Sequence, residues 1–271
     1  MQTHRYRGLQ FDVPMLAASG LTFAPEKCAR VLPRADASTW DPERYARPSA
    51  PARLGAVSDP AAFSRPRGVR VLDMPVKLAG SSVYRLPAEL RPWSDLVRQI
   101  ATVEHASNPY VDECFAYLTI DQGVVRPGVT QRNGGCHVDG FQGARIAQKT
   151  RCNRSYVVSD TTPTVFYRQP FDLVMRGRLD AARHDFFAEL DLQARSACEE
   201  RSRAHEVMLM DAYTVHRADP LRGAAPRHRT FFRLTFDPKV FDRLGNTPNP
   251  MLPTGWEMIP RDVHESLVRF R

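Results

Sequence analysis

CFAYLTIDQGVV, residues 114–125, opens a part of the chain in which short runs of β-branched and aromatic residues are separated by Gly, Pro, Asn or Asp. Runs of this kind are typical of β-strands. Many short strands with turn residues between them indicate a sandwich or jelly roll rather than alternating strands and helices. We therefore predict a mainly β fold with flanking helices. The other strand-like runs are GCHVDGF (135–141), NRSYVVSD (153–160), TVFYRQPF (164–171), EVMLMDAYTVHRAD (206–219) and RHRTFFRLTFDP (227–238).

The segments around these runs complete a predicted single domain, since 271 residues can bury one full core. Residues 1–105 are expected to form an irregular or helical part that packs on the core. LPAELRPWSDLVRQIATVE, residues 86–104, has apolar residues at the spacing of one amphipathic helix. Residues 106–240 are the expected jelly-roll core, with a helical insert at 178–204. Residues 241–271 form a C-terminal extension.

The charge balance suits a small anionic ligand better than a nucleic acid, although a GC-rich coding sequence accounts for much of the arginine bias without any ligand. The net charge is +8, and only four of the 38 basic residues are lysines, which leaves 34 arginines. Arginine pairs with carboxylates and phosphates through two parallel hydrogen bonds. A nucleic-acid surface would need these residues on one face, whereas they are scattered among 30 acidic residues.

The sequence indicates neither export nor membrane insertion. MQTHRYRGLQFDVP, at the start, lacks the apolar segment of a secretory signal. No run is long and apolar enough to span a bilayer. The five cysteines contain no CxxC pair, which argues against a disulfide framework and a structural zinc knuckle. We expect a cytoplasmic protein without a membrane partner.

GGCHVDGFQG, residues 134–143, contains a candidate metal-binding pair, His137 and Asp139. On a strand, these two side chains leave the same face. His216, at the end of an apolar run, is the candidate third ligand, because a neighbouring strand could place it beside His137. Two imidazoles and one carboxylate are the ligands of non-haem Fe(II) oxygenases, and zinc enzymes use the same types. Taken alone, the pair also suits a surface hairpin in which Asp139 caps a turn at Gly140.

Two arginines follow His216 on the last strand-like run. Arg229 and Arg233 share a strand face because an even number of positions separates them. If this face points inward, both guanidiniums need partners, since burying an unpaired charge is costly. A dicarboxylate would supply a bidentate partner. The pattern leaves the opposite orientation open, with Phe232 and Leu234 toward the core.

This order of residues resembles that of the Fe(II)/2-oxoglutarate-dependent dioxygenases, in particular the TauD-like and phytanoyl-CoA-hydroxylase-like members. The resemblance covers residues 114–237 and implies a double-stranded β-helix, a cupin-like jelly roll. It implies Fe(II) as the metal, with His137, Asp139 and His216 as ligands. It also implies 2-oxoglutarate and dioxygen as co-substrates. Because Asp139 is present, the halogenase variant of the family, which lacks this carboxylate, is disfavoured.

The resemblance further implies roles around the metal. Arg229 would hold the distal carboxylate of 2-oxoglutarate, and Arg227 is a rival for this role. Arg233 matches a second arginine that binds a substrate anion in some members. Tyr117 and Tyr156, on predicted strands, are candidates to donate a hydroxyl to 2-oxoglutarate, although either also suits the core.

Polar residues on both sides of the HxD pair are candidates for substrate binding, because loops around a rigid scaffold often carry specificity. The surplus arginines near the predicted mouth favour a small anionic substrate, such as an amino acid or a natural-product intermediate. Solvent exposure is the alternative for each of them. These candidates are Arg126, Gln131, Arg132, Gln142 and Arg145.

Two other functional classes stay open from the sequence. A cupin-like divalent-metal hydrolase or isomerase would use the same three ligands without oxygen or 2-oxoglutarate. An arginine-rich module for RNA or another polyanion would show salt-dependent binding that does not need the histidines.

Overall fold

The computed structural model describes residues 8–12, 41–65, 67–139, 153–173 and 186–260. Within these ranges the strands form two antiparallel sheets, as expected for a jelly roll of the double-stranded β-helix type, and this confirms the predicted mainly β fold class. The large sheet has the order β1-β4-β3-β5-β11-β6-β9-β2, and the small sheet has the order β10-β7-β8. The strands are β1 (Gly8–Asp12), β2 (Ala52–Ala56), β3 (Arg70–Lys77), β4 (Val83–Pro87), β5 (Phe115–Val125), β6 (Arg154–Ser159), β7 (Thr164–Tyr167), β8 (Glu199–Arg201), β9 (Glu206–Asp211), β10 (His216–Ala218) and β11 (Arg227–Asp237).

Strands β5 and β11 form the centre of the large sheet, paired over their full length from Arg227 opposite Val125 to Asp237 opposite Phe115. Alternate side chains of a strand point to opposite faces. Phe232 and Leu234 pack in the main hydrophobic core on one face. The alternate residues of β11 therefore face the small sheet, and the region between the two sheets holds the candidate site.

The main core is covered by helix α2 (Ser94–Ser107), which follows α1 (Ala61–Ser64). The single helix expected over 86–104 is divided, because residues Ala88–Trp93 form a 3-10 turn that contains Pro92. Proline has no N–H and disfavours the α conformation in the residue before it, so the α-helix starts only at Ser94. The buried residues of α2 include Val97, Ile100 and Val103.

The expectation of an irregular or helical part over residues 1–105 is wrong for the described residues. Four strands, β1 to β4, lie in this range and belong to the large sheet. Pro75 lies inside β3 opposite Tyr117, where the pairing register shifts. Proline is tolerated at such irregularities because a ladder hydrogen bond is already missing there.

The helical insert expected at 178–204 is shorter in its described part. Helix α3 (Phe186–Gln193) is followed by a 3-10 turn at Ser196–Cys198 and then by β8. The many charged residues here are also typical of the exposed face of a helix. In the structure Glu199 and Arg201 instead lie on β8, an edge strand, and form an ion pair. Residues 174–185 lie outside the described part.

Two strand predictions are also corrected. The run 206–219 is two strands in different sheets, because Asp211 accepts hydrogen bonds from Tyr213 N and the Thr214 hydroxyl in a turn. The run 135–141 has one isolated bridge in its described part, at His137, instead of a full strand.

Of the C-terminal extension, residues 241–260 are described and include an isolated bridge from Arg243 to Ile259. No described helix is long and apolar enough to cross a membrane.

Candidate metal centre

His137 and His216 lie directly opposite each other at the edge of the small sheet. Each donates its backbone N–H to the carbonyl of the other at 2.9 Å, and their ring centroids are 4.4 Å apart. Opposed residues of an antiparallel pair project to the same face. Asp139 completes the group, with its Oδ1 3.8 Å from His216 Nε2. One ligand atom from each of these three residues, called the triad below, lies within 4.8 Å of the others.

The hydrogen bonds of the two imidazoles use the Nδ1 atoms and leave the Nε2 atoms available to bind a metal. His137 Nδ1 is 2.8 Å from the Gly135 carbonyl, and His216 Nδ1 is 2.9 Å from the Thr214 carbonyl. A carbonyl only accepts, so each Nδ1 donates and each Nε2 keeps its lone pair. This second hydrogen bond on a histidine is typical of metal ligands.

Burial and charge favour the ligand forms of all three side chains. Burial, together with the neighbouring His216, lowers the pKa of His137 to about 4, and burial lowers the pKa of His216. Burial acts to raise the pKa of Asp139, but Arg233 and the two imidazoles together outweigh it and the pKa is lowered. Neutral imidazoles and an ionised carboxylate are the forms that bind a cation.

Arg233 holds the carboxylate of the triad. It donates to Asp139 Oδ1 at 2.8 Å and to Asp73 Oδ1 at 2.7 Å, and 13% of its side chain is exposed. Since the guanidinium already bridges two carboxylates, the structure does not support its predicted role as a binder of a substrate anion. Arg233 instead holds the carboxylate of the triad.

Arg229 lies in the same cavity as the triad. The cavity lies between the two sheets and measures about 60 Å³. Arg229 is 1% exposed, its Nε donates to the carbonyls of Thr161 and Thr162, and its NH1 donates to Gln131 Oε1 at 2.7 Å. Among the described residues no carboxylate forms an ion pair with it. Burial lowers the pKa of Arg229 to about 10, so the guanidinium is a cation at neutral pH.

The other polar candidates differ in whether they line the cavity. Arg132 lines the cavity, and Gln131 orients Arg229 instead of facing a substrate directly. Arg126 and Arg227 are exposed and do not line the cavity. Arg227 is thus not placed to anchor a buried co-substrate, since it lies at the outer end of β11. Gln142 and Arg145 lie outside the described residues.

Neither candidate tyrosine reaches the cavity. Tyr156 points to the opposite face of the large sheet, where its hydroxyl donates to Glu104 Oε2 at 2.7 Å. Tyr117 stacks on Phe241, and its hydroxyl donates to the Lys239 carbonyl at 2.9 Å. Both predicted roles are corrected, because these hydroxyls are used inside the fold.

Two residues near the triad were missed in the sequence. Asp73, in β3, contacts Arg233 and has a positive φ of 44°. Asp191, in α3, accepts a hydrogen bond from Cys136 N at 2.7 Å and so fixes the backbone beside His137. The only local signal for Asp73 is an acidic residue within a strand-like run, RVLDMPVK, and neither residue has a periodic spacing to the triad.

The donor set and its tautomers fit a divalent transition metal. Two imidazole Nε2 atoms and one carboxylate suit Fe(II), and they also suit Zn(II). None of the described cysteines belongs to the group of potential ligands. Cys136 is buried in a hydrophobic cluster beside the site, and burial raises the pKa of its thiol to about 12.

Comparisons with known proteins give similarities of fold. No protein-family model matches the chain, and no curated protein matches it. Among solved structures, EvdO2 from Micromonospora carbonacea var. aurantiaca in complex with 2-oxoglutarate is 14% identical, with 80% of this chain and 95% of that chain covered and a TM-score of 0.37. The Kdo hydroxylase KdoO, a non-heme Fe(II) α-ketoglutarate-dependent dioxygenase, is 12% identical, with 79% and 84% covered and a TM-score of 0.43. The epimerase SnoN from nogalamycin biosynthesis is 14% identical, with 84% and 93% covered and a TM-score of 0.39.

These three similarities are distant, with TM-scores of 0.37, 0.43 and 0.39. At these identities and TM-scores, what those proteins bind or catalyse does not pass to this chain by similarity. Its function has to be argued from its own residues.

Proposed function

We propose that this protein is an Fe(II)- and 2-oxoglutarate-dependent oxygenase that oxidises a C–H bond of a small anionic substrate. The observation that carries the proposal is a buried arginine, Arg229, in the same cavity as the triad. Among the described residues it forms no direct ion pair with a carboxylate, although Asp160 and Asp121 act on its charge from a greater distance. The triad alone suits several metals and reactions. Arg229 adds a buried positive charge that an anion bound beside the metal would help to neutralise.

The free energy of burying a guanidinium explains this demand. A buried charge is unfavourable unless it is paired and hydrogen-bonded. Arg229 makes hydrogen bonds through Nε to Thr161 and Thr162 and through NH1 to Gln131, all of them neutral acceptors. Those bonds orient the guanidinium without neutralising it, and Asp160 and Asp121 offset the cost of its burial only in part, since the pKa of Arg229 stays below its ordinary value. A carboxylate that enters the cavity would do so with a charge-assisted hydrogen bond.

The proposed metal would be held by His137, Asp139 and His216. When bound there, Fe(II) would supply the redox chemistry that couples reduction of dioxygen and decarboxylation of 2-oxoglutarate to succinate and carbon dioxide with oxidation of the substrate. The chain supplies positioning. Three protein ligands leave open positions for small molecules, and Arg229 would fix the far carboxylate of the diacid, so that its keto acid end is turned toward the triad.

The substrate site would include Arg132, at the wall of the same cavity. Its side chain is 29% exposed, and its ion-pair contact is to Asp121, at 3.8 Å. By contrast Arg217, which also lines the cavity, is paired with Glu199 at 2.9 Å. Arg132 therefore keeps a guanidinium available for a carboxylate or phosphate of the substrate, in agreement with the small anionic substrate, such as an amino acid or natural-product intermediate, expected from the composition.

The first experiment tests the co-substrate. We expect anaerobic addition of Fe(II) and 2-oxoglutarate to produce the weak visible charge-transfer band of the chelate. The band should be lost in His137→Ala and His216→Ala. In Arg229→Ala, a much higher concentration of 2-oxoglutarate should be needed to produce the same band intensity. Arg227→Ala, on the same strand but exposed, is the matched control and should behave as the wild type.

The second experiment tests the reaction class. Succinate formation from 2-oxoglutarate should require oxygen and Fe(II), and it should disappear in Asp139→Ala. A divalent-metal hydrolase or isomerase would instead show activity without oxygen. Succinate that persists in all three variants of the triad would refute the proposal.

The third experiment tests the substrate class by measuring succinate release with a panel of amino acids and other small anions. For any compound that stimulates release, Arg132→Ala should raise KM about tenfold or more, as expected for loss of a charge-assisted hydrogen bond. Arg126→Ala, an exposed arginine of the same segment, should leave KM unchanged.

A further inference from the structure

Asp73 is connected to the triad through a chain of short hydrogen bonds. Its Oδ1 accepts from Arg233 NH2 at 2.7 Å, and Arg233 NH1 donates to Asp139 Oδ1 at 2.8 Å. Asp73 and Asp139 are 5% and 7% exposed. One guanidinium therefore bridges two buried carboxylates, of which only Asp139 belongs to the triad.

The fold fixes Asp73 independently of Arg233. Its backbone N–H donates to the Thr119 hydroxyl at 3.0 Å, and that hydroxyl donates to Asp73 Oδ1 at 2.9 Å. The preceding residue, Leu72, is tied to Thr247 by two hydrogen bonds. The φ of 44° at Asp73 coincides with a register shift between β3 and β5. A strained backbone of this kind persists only when its surroundings determine it fully.

The charges explain why the bridge matters for a metal. If Arg233 were paired with Asp139 and not also with Asp73, its guanidinium would compete with a metal cation for the Asp139 carboxylate. Asp73 shares the guanidinium, so it offsets part of the positive charge beside the metal position and limits how far Arg233 can shift toward Asp139. Groups that hold a ligating carboxylate in this way influence metal affinity strongly.

We infer that Asp73 is a positioning residue of the metal centre, which acts through Arg233 to set the orientation and the cation affinity of Asp139. This inference rests on the metal site of the proposed function but not on 2-oxoglutarate. Asp73 touches neither the cavity nor the other ligands.

The test measures Co(II) binding to the full chain, by competition with a chromophoric chelator and by the visible absorption of the bound ion. Asp73→Asn keeps a side chain that tolerates a positive φ and removes only the charge. We expect it to weaken Co(II) binding about 10- to 100-fold and to change the absorption spectrum. Asp73→Gly, which also suits the backbone, should weaken it at least as much and serves if the asparagine variant does not fold.

A double-mutant cycle separates action through Arg233 from a general loss of stability. In an Arg233→Met background, Asp73→Asn should weaken Co(II) binding less than twofold, because the connection is already broken. Glu104→Gln is the matched control, since Glu104 forms a buried ion pair with Arg154 on the other face of the sheet. It should bind Co(II) as the wild type does.

Three results would overturn the inference: unchanged Co(II) affinity and spectrum in both Asp73 variants, additive effects in the cycle, or an equal loss in Glu104→Gln. Failure of 2-oxoglutarate binding in the wild type would instead refute the proposed co-substrate and leave this Co(II) measurement intact. The two conclusions therefore fail separately.

Discussion

His137 and His216 exchange both of their backbone hydrogen bonds, each at 2.9 Å, although they are far apart in the chain. The pairing sets the separation of the two imidazoles through the main chain, so side-chain packing does not have to do so. Because the Nδ1 atoms are held by the carbonyls of Gly135 and Thr214, the rings are also fixed in rotation. The two imidazoles of the candidate metal centre are thus preorganised by the main chain.

This arrangement predicts the effect of replacing one imidazole. His216→Gln should lower Co(II) affinity at least about 100-fold, because loss of a direct ligand costs more than the 10- to 100-fold typical of its supporting partners. The melting temperature of the metal-free protein should change little, since the backbone pair does not need the imidazole. Chelator competition and thermal unfolding provide the two measurements. His228→Gln, a half-buried histidine outside the triad, is the control, and an equal loss of affinity there would contradict the assignment.

A second prediction concerns the orientation of Arg229 by Gln131. Gln131→Ala removes the acceptor 2.7 Å from Arg229 NH1. The guanidinium then loses one of its fixed bonds, and we expect affinity for 2-oxoglutarate to fall about five- to tenfold, close to 1 kcal/mol for one hydrogen bond. Arg229→Lys should reduce it further, because lysine cannot form a bidentate pair. Titration of the anaerobic charge-transfer band measures both, and equal affinities in Gln131→Ala and wild type would show that Arg229 is held by other groups.

The sequence predicted the residues of the site that have a regular spacing and missed those that do not. His137 and Asp139 were found from their HxD spacing, and Arg229 because it follows His216 on the next strand along the chain, which lies in the other sheet. Asp73 has no such relationship, because its contact with Arg233 depends on the register of β3 against β5 and on an irregular backbone. Long-range register of this kind is not encoded in a local pattern.

The errors in the fold have a similar physical origin. Residues 114–125 and 227–238 were recognised as strands because tertiary structure and local composition agree there. The N-terminal strands were missed because the segment around them is rich in Pro, Ala and Arg, and pairing of β3 with β5 and of β2 with β9 stabilises them nonetheless. The sequence of β6 shows that alternate side chains point to opposite faces, but it does not show which face lies toward the cavity. Tyr156 was assigned to the wrong face for this reason.

The corrected position of Tyr156 leads to a third prediction. Tyr156→Phe removes the hydroxyl that donates to buried Glu104, which also accepts from Asn108 at 2.7 Å. We expect the free energy of unfolding to fall by about 1–3 kcal/mol, because a buried carboxylate loses one of its hydrogen bonds. Affinity for 2-oxoglutarate should not change. Urea unfolding and band titration measure the two effects, and the reverse pattern would return Tyr156 to the co-substrate site.

The buried Lys77 leads to a prediction about pH. Its side chain is fully buried, and its Nζ donates to the carbonyls of Leu78, Val111 and Cys114. Burial, offset in part by Cys114 and the nearby carboxylates Asp112 and Glu104, lowers the pKa of Lys77 from 10.5 to about 8. Between these two values the unfolded chain binds more protons than the folded chain. The stability contributed by this residue therefore rises as the pH rises through that window.

Comparison with Lys77→Met isolates this effect, because the other titrating groups are common to both proteins. The difference in the free energy of unfolding between wild type and variant should grow by about 1–2 kcal/mol from pH 7.5 to pH 9.5, as the pKa of Lys77 requires. Urea unfolding at the two pH values measures this difference. A constant difference would mean that Lys77 keeps its ordinary pKa and stays charged in the core, supported by the three carbonyls alone.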